Sequence, residues 1–147
     1  MIYAISHAPH LGDDLRERVL NYLASLEDGD KVCHGDFHPG NVLLTEKGAV
    51  VIDWMTANSG NPWADVARTS MLLTIGAKSA GKQLSPMTRL FIRIYHRAYL
   101  KNYVSLIPDR NNEYMKWMPV IAAARLDERI KGEEETLIGM ARAGLVG

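Results

Sequence analysis

From Asp14 to Leu26 apolar residues recur at helical spacing, and Leu15, Val19, Tyr22, Leu23 and Leu26 fall on one face. Asp14, with Glu17 three residues later, is expected to cap this helix. Glu27-Asp28-Gly29-Asp30 reads as a turn. Val32 to Gly40 is short, polar and aromatic, too irregular for a helix. Asn41-Val42-Leu43-Leu44 and Ala49-Val50-Val51-Ile52 are strand-like runs, and Glu46-Lys47-Gly48 between them predicts a hairpin. Beyond residue 60 the pattern is helical. Asn61-Pro62 is a cap followed by proline at the first helical position, with Trp63, Val66, Ala67, Leu73 and Ile75 inside and Gly76 as a stop. Ser85-Pro86 opens a second helix, whose buried side is expected to hold Leu90, Phe91, Ile94, Tyr95 and Ala98. A third spans about Glu113 to Leu126, kinked or begun at Pro119, and the last runs from Glu133 to Ala143. The pattern predicts a mainly α chain with one small β-hairpin.

Composition narrows the class without changing this picture. At 147 residues, 47% hydrophobic and 23% charged, the chain reads as one ordinary domain able to bury a core. Lysine plus arginine and aspartate plus glutamate are both 17, which argues against a nucleic-acid partner held by bulk charge. Residues 1–88 carry a net −3 and residues 89–147 a net +3, a difference too small to name a partner. Cys33 is the only cysteine, so no intrachain disulfide forms and a reducing compartment is expected. No run of 18 apolar residues exists, and Met1 to Leu15 lacks the pattern of a signal peptide. A cytoplasmic location without a membrane partner follows as the expectation.

The chemistry concentrates in Cys33-His34-Gly35-Asp36-Phe37-His38-Pro39-Gly40-Asn41 and, across the hairpin, Val51-Ile52-Asp53-Trp54. A hairpin brings its ends together, so Asn41 and Asp53 are expected to be neighbours. An amide oxygen beside a carboxylate is a hard-oxygen pair of the type Mg²⁺ prefers. Asp36, one loop away, can accept a proton from an attacking hydroxyl. Phosphoryl transfer asks for these parts: oxygens positioned, and charge neutralised by metal. Each residue alone also suits a turn; the joint spacing with His34 is what carries the reading.

The spacing resembles the kinase catalytic loop, H-x-D-x-x-x-x-N, followed by a metal-binding Asp after a hairpin. The form H-G-D-x-H-P-G-N with I-D-W looks like the aminoglycoside phosphotransferase and choline kinase branch of the protein-kinase-like fold. Asn61-Pro62-Trp63-Ala64-Asp65-Val66-Ala67 is similar to a second segment of that family, and Ala122-Ala123-Ala124-Arg125-Leu126 more loosely to a third. The resemblance implies that Asp36 is the catalytic base. It implies Asn41 and Asp53 as metal ligands and, with the loop-bracing His34, as the cofactor-binding set. Asp65 matches a structural carboxylate. Mg and ATP are the implied cofactors, and a small hydroxylated molecule the implied acceptor.

The family places a nucleotide-binding lobe before this loop, but only 33 residues precede His34, with Gly12 and Gly29 isolated and Lys31 the one lysine. The expected organisation is therefore a single domain over 1–147, the C-terminal lobe of a protein-kinase-like α+β fold. Its parts are the catalytic loop at 33–41, the hairpin at 41–53 and a helical remainder at 61–147, with the nucleotide-binding lobe absent. The implied function is an ATP- and Mg-dependent phosphotransferase, inactive as this chain alone; the alternative is a non-catalytic binding or assembly module. An apolar surface near the hairpin and residues 1–12 is expected to be uncovered and to favour a homo-oligomer. Cys33, His34, His38, His7 and His10 lack the spacing of a zinc finger. Trp54 is placed either in the core or as a wall of the acceptor site, His96 at a partly exposed surface, and Glu133-Glu134-Glu135 as acids favoured by a helix start.

Overall fold

A computed structural model describes residues 1–76, 84–107 and 113–145. Helices α1 (Ile2–His7) and α2 (Asp13–Ser25) are followed by strands β1 (Lys31–Cys33), β2 (Val42–Thr45), β3 (Gly48–Val51) and β4 (Asn58–Gly60). Helices α3 (Pro62–Met71), α4 (Pro86–Leu106), α5 (Glu113–Arg125) and α6 (Glu134–Ala143) complete the chain. Helix is the dominant structure, as the hydrophobic pattern predicts.

Helix α5 is the centre. It packs against α3 on one side and α6 on another, with α1 and α2 laid over it. Trp117, Val120, Ile121, Ala122 and Ala123 are all buried, so its apolar surface extends well beyond one stripe, as a central helix requires. Helix α3 meets it through Trp63, Val66, Ala67 and Met71, while Leu15 and Val19 of α2 and Ile5 of α1 close the core.

Local signals act where the sequence placed them. The Asn61 side chain accepts from Trp63 N at 2.9 Å and caps α3, and Ser85 accepts from Thr88 N at 3.1 Å and caps α4. The β2–β3 hairpin pairs Val42 with Val51 and Thr45 with Gly48, so Glu46-Lys47 form its two-residue turn.

Several expectations are corrected. The cap of α2 is Gly12, at φ +70°, with no side-chain cap, so Asp14 lies inside the helix rather than at its cap. The irregular stretch after Asp30 contains β1, which pairs antiparallel with β4, Lys31 opposite Gly60 and Cys33 opposite Asn58. Helix α3 passes into a wide π turn at Leu72–Gly76. Pro119 lies within α5 and packs against Gly144, where any side chain would collide with its ring.

The largest correction is α4. Leu90, Phe91 and Ile94, assigned to its buried side, are exposed. The helix instead packs through Tyr99, Leu100, Tyr103 and Val104. Apolar residues lie on both of its faces, and periodicity alone does not say which face meets the core.

Around the hairpin the apolar surface is open. Leu44 is 88% and Met55 94% exposed, and Leu43, Val50 and Trp54 are about half exposed. Met1, Ile2 and Tyr3 are also exposed, whereas Ile5, Ala8 and Leu11 of the same segment are buried. No helix among the described residues is long and apolar enough to cross a membrane.

Candidate active site

The loop from His34 to Asn41 leaves β1 and enters the hairpin, and the hairpin returns the chain to Asp53. Two hydrogen bonds join these ends. Ile52 N donates to the Asn41 carbonyl at 2.9 Å, and the His34 ring Nε2 lies 2.9 Å from the Ile52 carbonyl. Asp36 N donates to His34 Nδ1 at 3.2 Å, so the proton of His34 sits on Nε2 and is given to Ile52. His34 thus spans from the backbone of Asp36 to the residue before Asp53.

The underside of the loop is held at every backbone polar group of two residues. The Asp65 carboxylate accepts from His34 N at 2.9 Å and Gly35 N at 2.7 Å. Thr56 Oγ1 donates to the His34 carbonyl at 2.9 Å, and Arg68 Nε to the Gly35 carbonyl at 3.2 Å. Gly35 has φ +78°, and a Cβ there would lie 2.7 Å from the Thr56 carbonyl oxygen, so only glycine fits without a shift.

Arg68 is itself anchored. Its Nη1 pairs with Glu128, which also receives Arg125 Nη1 at 3.0 Å. Arg125 and Glu133 form a bidentate pair at 2.6 and 2.9 Å, with the Glu133 side chain 1% exposed. Burial opposes the Arg125 charge, but hydrogen bonding to Glu133 and the charges of Glu128 and Glu133 outweigh it and raise its pKa. Glu133, at the N-cap of α6, is therefore also a buried ion-pair partner, while Glu134 and Glu135 lie in the first turn as acids at a helix start. Sequence reasoning missed Thr56, Arg68, Glu128 and Glu133; an arginine inside the apolar run Ala122–Leu126 was the available signal, since a buried cation demands a carboxylate.

The opposite side of the loop is open. Asn41 is buried, and its Nδ2 donates to the Asp36 carbonyl at 2.9 Å and approaches Asp36 Oδ2 at 3.4 Å. Its Oδ1 has no hydrogen-bond partner among the described residues. Asp53 sits at φ +63°, ψ +60°, a left-handed conformation that aspartate tolerates, and it is exposed. Its carboxylate likewise makes no hydrogen bond or ion pair among the described residues. The His38 ring accepts from Gly40 N through Nδ1 at 3.0 Å, which leaves Nε2 3.7 Å from Asp36 Oδ2.

Aromatic rings flank the loop. Trp54 packs on His34 with centroids 4.6 Å apart, and its Nε1 donates to the Val51 carbonyl at 3.0 Å. Phe37 stacks on Tyr99 of α4 at 5.8 Å, and Tyr99 leans on Tyr103 at 5.9 Å. Burial pushes the Tyr99 hydroxyl well above its ordinary pKa, and burial together with Asp65 raises the Cys33 thiol.

No group of three or more His, Cys, Asp or Glu side chains among the described residues could hold a metal. The oxygens of Asn41 and Asp53 are a different kind of set. Their side-chain oxygens are hard donors without competing partners among the described residues, and two such protein ligands suit a Mg²⁺ ion that keeps water and phosphate oxygens for the rest of its shell. The residues present fit a divalent cation in this respect. They do not supply a glycine-rich phosphate loop, since Gly12 and Gly29 stand alone ahead of the site.

Residues 4–106 match the family model of the phosphotransferase enzyme family, APH. The chain belongs to this family. The matched segment runs from α1 to the end of α4 and contains the whole of the His34–Asp65 constellation. Helix α5 with Arg125, and α6 with Glu133 at its N-cap, lie beyond it. No curated protein and no solved structure matches the chain.

Proposed function

We propose that this chain is the catalytic-loop lobe of an ATP- and Mg-dependent phosphotransferase acting on small hydroxylated molecules, in the aminoglycoside and choline kinase branch. The observation that carries the reading is the junction of loop and hairpin: His34 and Asn41 both bond Ile52, next to Asp53. In this reading Asp36 orients the acceptor hydroxyl and takes its proton. Asn41 and Asp53 would hold Mg²⁺, which when bound neutralises the charge of the transferring phosphoryl group. His34 keeps the two halves of the site in register, and half-exposed Trp54 walls the acceptor side.

The nucleotide-binding lobe is the part this reading draws from outside the 147 residues. The exposed Leu43, Leu44, Val50 and Met55 support a partner surface around the hairpin, supplied by that lobe or by a second copy of the chain. The same exposed surface suits a second reading for the chain by itself, a binding or assembly module.

The test is ATP-dependent phosphorylation across a panel of hydroxylated metabolites, by the chain alone and by the chain joined to a nucleotide-binding lobe of the family. The expected result is no turnover by the chain alone and clear turnover by the joined protein. In the joined protein Asp53→Ala should weaken Mg-ATP binding and turnover together. A joined protein that binds Mg-ATP but phosphorylates nothing in the panel would favour the second reading.

A further inference from the structure

The charge of this neutral chain is not evenly laid out. Between Val66 and Pro108 the sequence holds seven Lys or Arg and no Asp or Glu, which leaves the remainder of the chain at −7. Helix α4 occupies the second half of that stretch. Its 21 residues carry Arg89, Arg93, Arg97 and Lys101, each four after the last, so they form one inclined row along the helix. All four are exposed, and none forms an ion pair among the described residues.

Beside this row lies the apolar strip of Met87, Leu90, Phe91 and Ile94, with exposures between 54% and 80%. At 100° per residue these four fall within about one-third of the helix circumference, opposite the Tyr99 and Tyr103 side that meets the core. A large aromatic and three long apolar side chains held in water, beside basic residues without an ion-pair partner among the described residues, suit an occupant that is both anionic and apolar. A nucleic acid supplies the charge but leaves the apolar strip against phosphate. A lipid surface supplies both: anionic headgroups for the arginines, and acyl carbon a few ångströms deeper for Phe91 and its neighbours.

We propose that the outer face of α4 docks on an anionic membrane surface, with the helix in the interface plane. The absence of a membrane-crossing helix does not bear on such surface association. The inner face of the same helix holds Phe37, next to Asp36, through Tyr99. Docking therefore sets the candidate site about one helix diameter, roughly 10 Å, from the lipid surface. The proposal stands on α4 alone and does not require the phosphotransferase reading.

The test is flotation of the full chain with phosphatidylcholine vesicles and with vesicles containing about one-third phosphatidylserine, at about 0.1 M salt. The chain should float with the anionic vesicles only, and about 0.5 M salt should release it. Each basic residue near such a surface is worth about fivefold in binding, so Arg93→Gln with Arg97→Gln should weaken it about 25-fold. Phe91→Ser should weaken binding without changing its salt dependence, and Lys47→Gln in the hairpin turn should change nothing. All of these side chains are exposed, and an unchanged thermal midpoint confirms that each variant is folded. No flotation, equal flotation with neutral vesicles, or indifference to Arg93 and Arg97 would overturn the proposal. Binding to polyglutamate or to RNA but not to vesicles would overturn it too, and would assign the face to an acidic protein or a nucleic acid.

Discussion

The two sides of the loop from His34 to Asn41 are built on opposite terms. Underneath, every backbone N–H and C=O of His34 and Gly35 has a partner, drawn from Asp65, Thr56 and Arg68. On top, Asn41 Oδ1 and the Asp53 carboxylate have none among the described residues. A loop secured from below can leave its oxygens unpaired above without losing its shape. Rigid support with open donors is what a charge-stabilising site requires, since groups already in place need no reorganisation when charge develops.

The support reaches far from the loop. Gly35 leads to Arg68, Arg68 to Glu128, Glu128 to Arg125, and Arg125 to the buried Glu133. The chain of ion pairs joins α3, α5 and the start of α6, so the helical core and the loop share one polar framework.

The contrast breaks most strongly at its buried end. Arg125→Ala removes the bidentate partner of the buried Glu133 carboxylate, and should cost about 3–5 kcal/mol in urea unfolding. Replacing both partners by apolar residues should recover most of that loss. Asp65→Ala removes the charged acceptor of two partly buried N–H groups, with an expected cost of about 2–4 kcal/mol. Gly35→Ala meets both the left-handed backbone and the Thr56 carbonyl, and should cost about 2 kcal/mol by the same measurement. On the open side, Asp36→Asn and Asp53→Asn should change stability by less than about 0.5 kcal/mol. Asparagine is chosen at position 53 because, like aspartate, it accepts the left-handed conformation there. A loss above about 2 kcal/mol at Asp53 would mean that its carboxylate supports the fold.

The open side was legible in the sequence and the underside largely was not. His34, Asp36, Asn41 and Asp53 lie within twenty residues and are brought together by one hairpin, so local turn signals sufficed. Asp65 was legible as a structural carboxylate only through its motif. Arg68, Glu128, Arg125 and Glu133 meet across 65 residues of sequence, and no local pattern pairs them. The same limit hid the β1–β4 pair, whose three-residue strands are separated by the whole hairpin. Helix α4 and its cap are legible in the pattern, but its apolar residues lie on two faces, and periodicity does not say which of them meets the core.

Asp36 carries the central step of the proposed mechanism. Steady-state kinetics and Mg-ATP titration of the chain joined to a nucleotide-binding lobe, with and without Asp36→Asn, measure it directly. General-base catalysis contributes about 10²–10⁴-fold, so turnover should fall by that factor while Mg-ATP affinity stays nearly constant, because the base acts on the acceptor hydroxyl. Near-unchanged turnover with a competent acceptor would contradict the assignment of Asp36 and the mechanism built on it.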